Sequence, residues 1–186
     1  MNLPNKLTLL RVILVPFFVF FLLTDIVPFS KIIALVLFIA ASVTDALDGH
    51  IARSRNLVTT FGKFLDPLAD KVLVISALIC MTKLGLIGAV PVIIIVAREF
   101  MVSGLRLVTA NEGVVVAAGI WGKLKTAFTM AAIVVMLFEL CLTLNDQAAF
   151  ICNIINQALI WISTILTVIS GGIYLKGYWK YIDASK

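Results

Sequence analysis

The chain has 186 residues, of which 62% are hydrophobic and 13% are charged, and its formal net charge is +5. This composition is too apolar for a water-soluble domain of this size and is typical of a membrane protein with several spans. The positive charge requires no nucleic-acid partner, because anionic lipid headgroups or an anionic substrate account for it. We therefore expect a single membrane domain over residues 1–186.

Six segments are apolar and long enough to cross a bilayer as helices, which takes about 20 residues each. In chain order they are residues 8–24, 31–53, 62–84, 87–110, 122–145 and 150–175. Turn-forming or charged residues separate them, and the boundaries are softest around 110–122, since the run after Gly113 is itself apolar. The predicted fold class is an all-α integral membrane protein with six transmembrane helices.

The Lys and Arg residues are distributed unevenly between the two sides of these segments. Most lie on the side that both termini share: Lys6, Arg11, Arg53, Arg55, Lys63, Arg106, Lys123, Lys125, Lys176, Lys180 and Lys186. Only Lys31 and Lys83 lie near the other side. By the positive-inside rule, both termini are cytoplasmic. With no organelle-targeting segment evident, we expect a multi-pass protein of a bacterial plasma membrane.

The second and third segments each carry two aspartates near the cytoplasmic turn between them. Asp45 and Asp48 are about 60° apart around one helix, and Asp66 and Asp70 about 40° apart around the next, so each pair shares a face. Antiparallel helices joined by this turn would bring the four carboxylates together in a polar active-site cavity that faces the cytoplasm. Unpaired carboxylates are costly there, and hard divalent cations such as Mg²⁺ or Mn²⁺ offset that cost. The pattern predicts a metal site.

Other residues near the aspartates suit a substrate that carries phosphate. Gly49 and Gly62 leave room for a phosphate group to approach each helix, and Arg53 can make forked contacts with phosphate oxygens. Each residue alone would more often pack a helix or carry a solvated charge. Their joint arrangement indicates metal-assisted phosphoryl transfer.

The run from Asp45 to Asp70 reads Asp-x2-Asp-Gly-x2-Ala-Arg-x8-Gly-x3-Asp-x3-Asp, which resembles the signature of the CDP-alcohol phosphatidyltransferases at every signature position. The resemblance implies a six-helix membrane enzyme, commonly a homodimer, that displaces CMP from a CDP-linked lipid with an alcohol. It implies two Mg²⁺ or Mn²⁺ ions held by Asp45, Asp48, Asp66 and Asp70, with Asp70 also the general base. The residues expected to bind the CDP-lipid are Asn5, Thr8, Gly49, Ala52, Arg53 and Gly62.

Motifs outside the signature bear on the acceptor alcohol. The stretches NLPNKLTLLR, FGKFLDPLADK, AREFMVSGLR and GKLKT resemble the branch of the family that uses CDP-diacylglycerol and glycerol 3-phosphate. That acceptor brings a second phosphate, and Arg98, Arg106, Lys123 and Lys125 are predicted to bind it. Other roles stay open, because Glu99 could pair with a nearby cation and the two lysines could be positive-inside anchors.

Several alternatives share part of this pattern. Branches of the family that use inositol phosphate, serine or a second phospholipid as acceptor have the same core. A small membrane transporter would also bury carboxylates, although nearer the bilayer midplane and between broken helices. An aromatic prenyltransferase would use aspartates on a diphosphate, but in two separate Asp-rich motifs and a longer chain.

Two local expectations concern the ends of the chain. The last segment finishes in aromatic residues that we expect to form an interfacial belt: Tyr174, Tyr178, Trp179 and Tyr181. At the other end, Asn5 could cap the first helix rather than contact a substrate.

Overall fold

The computed structural model describes residues 3–54, 60–111 and 119–179, and it describes side chains over 5–44, 68–69, 71–110 and 119–179. The described residues form six α-helices and no strand, which confirms the all-α prediction for this part of the chain. The helices are α1 (Leu3–Leu23), α2 (Ser30–Ser54), α3 (Thr60–Lys83), α4 (Ala89–Asn111), α5 (Ile120–Glu139) and α6 (Asp146–Tyr178).

The boundary between α5 and α6 differs from the prediction. Helix α5 ends at Glu139 instead of residue 145, and the amides of Cys141 and Leu142 each bond a carbonyl three residues earlier, at 3.0 Å. These shorter-range bonds tighten the last turn and stop the α-helical ladder. Helix α6 then begins at Asp146 because the side chain of Asn145 accepts a 2.9 Å hydrogen bond from the amide of Ala148, as an N-cap does.

Three of the helices are long and apolar enough to cross a membrane: Asn5–Leu23, Ile120–Glu139 and Asp146–Tyr178. A shorter apolar stretch covers Ser30–Thr44. Only residues with described side chains were considered as candidate spans, so the ends of α2 and α3 that carry the signature were not considered. An all-helical chain with such segments is consistent with a membrane protein, and the full set of six spans stays a prediction.

The chain divides into two compact units, each made of two stretches of sequence. Unit 1 comprises Met1–Leu84 and Val134–Leu144, and unit 2 comprises Gly85–Ile133 and Asn145–Lys186. The expected single domain over 1–186 is not tested by this division and stays a prediction.

In unit 1, helix α1 packs against both α2 and α3, which also contact each other. Its buried face includes Val15, Phe18 and Leu22, and the rings of Phe18 and Phe38 lie 5.6 Å apart. This apolar layer removes a large hydrocarbon surface from the surroundings and fixes α1 against the two helices that carry the signature.

In unit 2, helix α4 packs against α6. Val102 and Leu105 of α4 form a buried cluster with Tyr174 of α6. The two helices approach closely at Gly171, where a Cβ atom would lie 3.2 Å from Cγ of Arg98 and from Cε of Met101. Small residues at helix contacts in membranes allow this close approach.

Candidate functional site

The buried face of α1 is polar at its start. Asn5 is 6% exposed, while Thr8 and Arg11 are fully buried, and their three-residue spacing puts them on one side of the helix. Because α1 begins at Leu3, Asn5 lies inside the helix and the expectation that it caps the helix is wrong. Asn5 and Thr8 therefore share one buried polar face of unit 1, as two contacts of one ligand would require.

Arg11 belongs to the same face, although from the sequence it was expected only to be one of the basic residues on the cytoplasmic side. Its Nε donates a 3.3 Å hydrogen bond to the carbonyl oxygen of Ala41 in α2, one helical turn before Asp45. The signal in the sequence was present: polar residues recur every third position in a segment that is otherwise apolar. A buried arginine requires such polar partners.

The signature residues lie on the two helices that pack against α1. Helix α2 carries Asp45, Asp48, Gly49, Ala52 and Arg53, and α3 carries Gly62, Asp66 and Asp70. Their side chains fall outside the described residues. Within the side chains that are described, no three His, Cys, Asp or Glu residues are grouped as a metal site would need, but the four aspartates are not among them. The predicted metal and CDP-lipid assignments at these positions stay predictions.

In unit 2, Glu99 joins two of the four cations predicted to bind the acceptor. One carboxylate oxygen, Oε1, accepts from Nη1 of Arg98 at 2.8 Å and from Nζ of Lys125 at 2.6 Å. The side chains of Lys125, Arg98 and Glu99 are 6%, 11% and 20% exposed, respectively. The pairing of Glu99 with a nearby cation, which the sequence left open as an alternative, is present, and Glu99 pairs with two cations.

The network extends to α6 through Arg98. Its Nη2 donates to the hydroxyl of Ser170, and among the described residues its Nε has no hydrogen-bond partner. Ser170 was not singled out from the sequence, although Ser163, Thr167 and Ser170 recur on one face of α6 at helical spacing. Arg98 thereby connects α4 to α6, while Glu99 connects α4 to α5.

Tyr174 lies beside both arginines of α4. The guanidinium carbons of Arg98 and Arg106 are 5.4 Å and 6.0 Å from the centre of its ring, within the range of cation–π attraction. The phenol oxygen accepts a 2.9 Å hydrogen bond from the amide of Gly119, just before α5. Tyr174 is 6% exposed.

This placement corrects one member of the predicted aromatic belt. Tyr174 is buried because it falls on the same face of α6 as Ser170, one turn earlier, and that face packs on α4. Trp179 is exposed, as a belt residue would be, and Tyr178 is partly exposed and stacks on Tyr174 at a centroid distance of 6.3 Å. Tyr181 lies outside the described residues.

The four predicted acceptor-binding residues are not all brought together. Arg98 and Lys125 bond Glu99, and Arg98 and Arg106 lie beside Tyr174, whereas Lys123 is exposed. Two residues along α5 correspond to a rotation of about 200°, so Lys123 and Lys125 leave the helix in nearly opposite directions. The role of each residue stays a prediction, but the structure supplies a geometric reason to treat Lys123 separately.

We call Arg98, Glu99, Arg106 and Lys125 the charged cluster of unit 2. Its cations outnumber its single carboxylate, so it carries an excess of positive charge in a region that is mostly shielded from solvent. Arg106 is exposed and provides the accessible part of the cluster. Such an arrangement can bind a phosphate group through charge-assisted hydrogen bonds.

Comparison with known proteins bears on both units. Residues 1–169 match the family model described as CDP-alcohol phosphatidyltransferase. A Bacillus subtilis protein named CDP-diacylglycerol--glycerol-3-phosphate 3-phosphatidyltransferase is 40% identical over 99% of this chain and 98% of its own. Proteins with the same name from Rickettsia bellii (37% identical, 97% of each chain) and Haemophilus influenzae (42% identical, 71% of this chain and 73% of its own) are also similar. The chain belongs to the CDP-alcohol phosphatidyltransferase family.

Proposed function

We propose that the protein transfers the phosphatidyl group of CDP-diacylglycerol to glycerol 3-phosphate, giving phosphatidylglycerophosphate and CMP. Family membership supports the reaction class, and the names of the relatives support this acceptor. The observation that carries a phosphorylated acceptor is the charged cluster of unit 2, and the names of the relatives favour glycerol 3-phosphate over inositol phosphate. An acceptor that keeps its own phosphate needs cations beyond those that bind the CDP-lipid, and Arg98, Arg106 and Lys125 supply them.

The four aspartates of the signature fit a pair of divalent cations by the chemistry of the donor set. Carboxylate oxygens are the ligands that Mg²⁺ and Mn²⁺ prefer, and four of them balance two such ions in charge. Two ions at a pyrophosphate supply Lewis-acid chemistry and charge stabilisation when bound. The ligands in this proposal are Asp45, Asp48, Asp66 and Asp70.

The chain's own residues then perform three tasks. Asn5 and Thr8 of α1, together with Gly49, Ala52, Arg53 and Gly62 of the signature, hold the CDP-lipid. Asp70 accepts the proton of the attacking glycerol hydroxyl, which requires hydrogen-bond reach more than unusual basicity. The new bond forms between that oxygen and the phosphorus that bears the diacylglycerol, and the bond from this phosphorus to the CMP oxygen breaks. No covalent intermediate with the protein is involved.

Arg98, Arg106, Lys123 and Lys125 bind the acceptor's phosphate in this proposal. Arg106 has the clearest basis, because it is exposed, lies beside Tyr174 and can present its planar fork to phosphate oxygens. Lys125 has three N–H donors, of which the bond to Glu99 uses one, so the others are available for a ligand. Binding through several fixed cations positions the glycerol hydroxyl for attack.

The same proposal covers the surroundings of the enzyme. The protein lies in a bacterial plasma membrane with six spans, with both termini and the active site on the cytoplasmic side, where water-soluble glycerol 3-phosphate is available. The charge distribution across the segments supports this orientation. A homodimer follows from the family resemblance.

The test is to supply candidate acceptors one at a time to the purified protein in liposomes that contain CDP-diacylglycerol. Radiolabelled glycerol 3-phosphate, inositol phosphate and serine are compared, and both CMP release and the lipid product are measured. We expect CMP release and a labelled lipid with glycerol 3-phosphate only. CMP release with another acceptor alone would assign the chain to a different branch, and solute flux without CMP release would indicate a transporter.

A further inference from the structure

We infer that Glu99 is a positioning residue for recognition of the acceptor's phosphate, acting through Lys125 and Arg98 rather than by contact with substrate. The inference rests on the proposed function, since it concerns the cations that we assign to glycerol 3-phosphate. A carboxylate near a phosphate-binding site is unexpected on charge alone, because it repels the phosphate. The geometry explains why a carboxylate is nevertheless useful there.

Two cations from different helices share one oxygen of Glu99. Oε1 of Glu99 accepts from Arg98 of α4 and from Lys125 of α5, at 2.8 Å and 2.6 Å. Without the carboxylate, two like charges would lie close together with little solvent to screen them. Glu99 therefore allows the two cations to remain close to each other, which a bidentate grip on phosphate requires.

Glu99 also restricts the side chain of Lys125 before any ligand binds. A free lysine side chain samples many rotamers and loses that freedom when it binds a ligand. The Nζ of Lys125 is already fixed by Glu99, and the next turn of α5 is anchored by the hydrogen bond between the hydroxyls of Thr129 and Ser163. Because this ordering precedes ligand binding, less entropy is lost when phosphate arrives.

Arg98 is held in place by contacts with four residues. Its terminal nitrogens bond Glu99 and Ser170, its guanidinium carbon lies 5.4 Å from the ring centre of Tyr174, and its stem passes Gly171. These contacts hold one orientation of the guanidinium group. Glu99 supplies the only carboxylate that the described contacts of Arg98 include.

The experiment is a double-mutant cycle on Glu99→Gln and Lys125→Ala, read as separate KM values for the two substrates. The glutamine has nearly the same shape but carries no charge. We expect Glu99→Gln to raise the KM for glycerol 3-phosphate about tenfold, the worth of one charge-assisted hydrogen bond. The KM for CDP-diacylglycerol should change less than about twofold, because the substitution does not affect binding of this substrate.

The cycle separates positioning from a general structural role. If Glu99 acts through Lys125, Glu99→Gln should add little to the KM increase already caused by Lys125→Ala, so the two effects are not additive. Glu99→Asp keeps the charge but shortens the side chain, so it should give an intermediate KM for glycerol 3-phosphate. It replaces Glu99→Gln in the cycle if Glu99→Gln yields no folded protein. Asp146→Asn, which also removes one carboxylate charge but at the exposed start of α6, is the control and should leave both KM values unchanged.

The outcomes distinguish failure of the positioning role of Glu99 from failure of the proposed function. Additive effects in the double variant, or equal increases in both KM values, would overturn the positioning role. The proposed function would still stand if the wild-type protein were active with glycerol 3-phosphate. A wild-type protein that releases CMP only with another acceptor would overturn the proposed function and this inference with it.

Discussion

The two units of the protein hold buried charge in different ways. In unit 1, the fully buried Arg11 bonds a backbone carbonyl, on a helix packed against those that carry the signature aspartates. In unit 2, Glu99 and its cations bond one another across three helices. Charges that are arranged before a ligand binds increase substrate affinity, whereas the carboxylates that we propose as metal ligands would act on the chemical step. We therefore expect signature changes to lower kcat and unit 2 changes to raise the KM for the acceptor.

The largest expected effect is that of Asp70→Asn. Loss of the general base should lower turnover by about a thousandfold, in the middle of the range for such groups. CDP-diacylglycerol should still bind, because the other signature residues persist. Turnover is measured as CMP release and binding as retention of labelled CDP-lipid. Asp25→Asn is the control, since Asp25 is an exposed partner of Lys31 and such pairs contribute little; normal turnover in Asp70→Asn would refute the assignment.

Removal of divalent cations should also lower turnover. Treatment with a chelator should abolish CMP release, and added Mg²⁺ or Mn²⁺ should restore it. Asp48→Ala should raise the cation concentration needed for half-maximal activity by more than about tenfold, since even partners of metal ligands have effects of that size. Full activity after exhaustive chelation, checked by elemental analysis, would contradict the metal assignment.

Arg106→Gln tests the accessible part of the charged cluster. Loss of one charged donor should raise the KM for glycerol 3-phosphate about tenfold or more and leave the KM for CDP-diacylglycerol nearly unchanged. Lys123→Gln should have a smaller effect, because Lys123 is exposed and lies about 200° around α5 from Lys125. Lys176→Gln, an exposed lysine in the last turn of α6, is the neutral control. A larger effect at Lys123 than at Arg106 would reverse our view of the two residues.

The smallest expected effect compares two buried hydroxyls of α6. Ser170 bonds Arg98 across helices, whereas Thr164 donates to the carbonyl of Ile160 in its own helix at 2.7 Å. Ser170→Ala should raise the KM for glycerol 3-phosphate about two- to threefold, as expected for a hydrogen bond of ~0.6 kcal/mol between membrane helices. Thr164→Val should leave this KM unchanged. Equal effects would show that the cross-helix bond has no special role.

The fold was largely predictable because apolar runs of spanning length dominate the sequence. Six helices were expected and six are found in the described residues, and the error at the α5–α6 boundary came from local bonding. An apolar run continues to residue 144, so periodicity alone could not show that the amides of Cys141 and Leu142 end the helix early. Helix ends depend on a few hydrogen bonds, which hydropathy does not report.

The candidate site was predictable where residues lie close in sequence. The signature is a local pattern, and the pairing of Glu99 with a cation was one of the alternatives that the sequence left open, because its neighbour is an arginine. Ser170 and Tyr174 were missed as partners of Arg98, since contacts between residues more than 70 positions apart depend on how helices pack. The buried position of Tyr174 likewise depends on α4, which no count of aromatic residues near a chain end reveals.

The ion pair between Arg98 and Glu99 has a consequence for how the chain enters the membrane. Both residues belong to α4 and are adjacent, so their 2.8 Å bond can form as soon as that helix does, without any other helix present. A helix that neutralises its own arginine partitions into lipid at a lower cost than one that carries a lone charge. In the proposed arrangement with six spans, α4 would therefore enter the membrane with a neutral pair, and the ammonium group of Lys125 would be neutralised only when α5 packs beside α4.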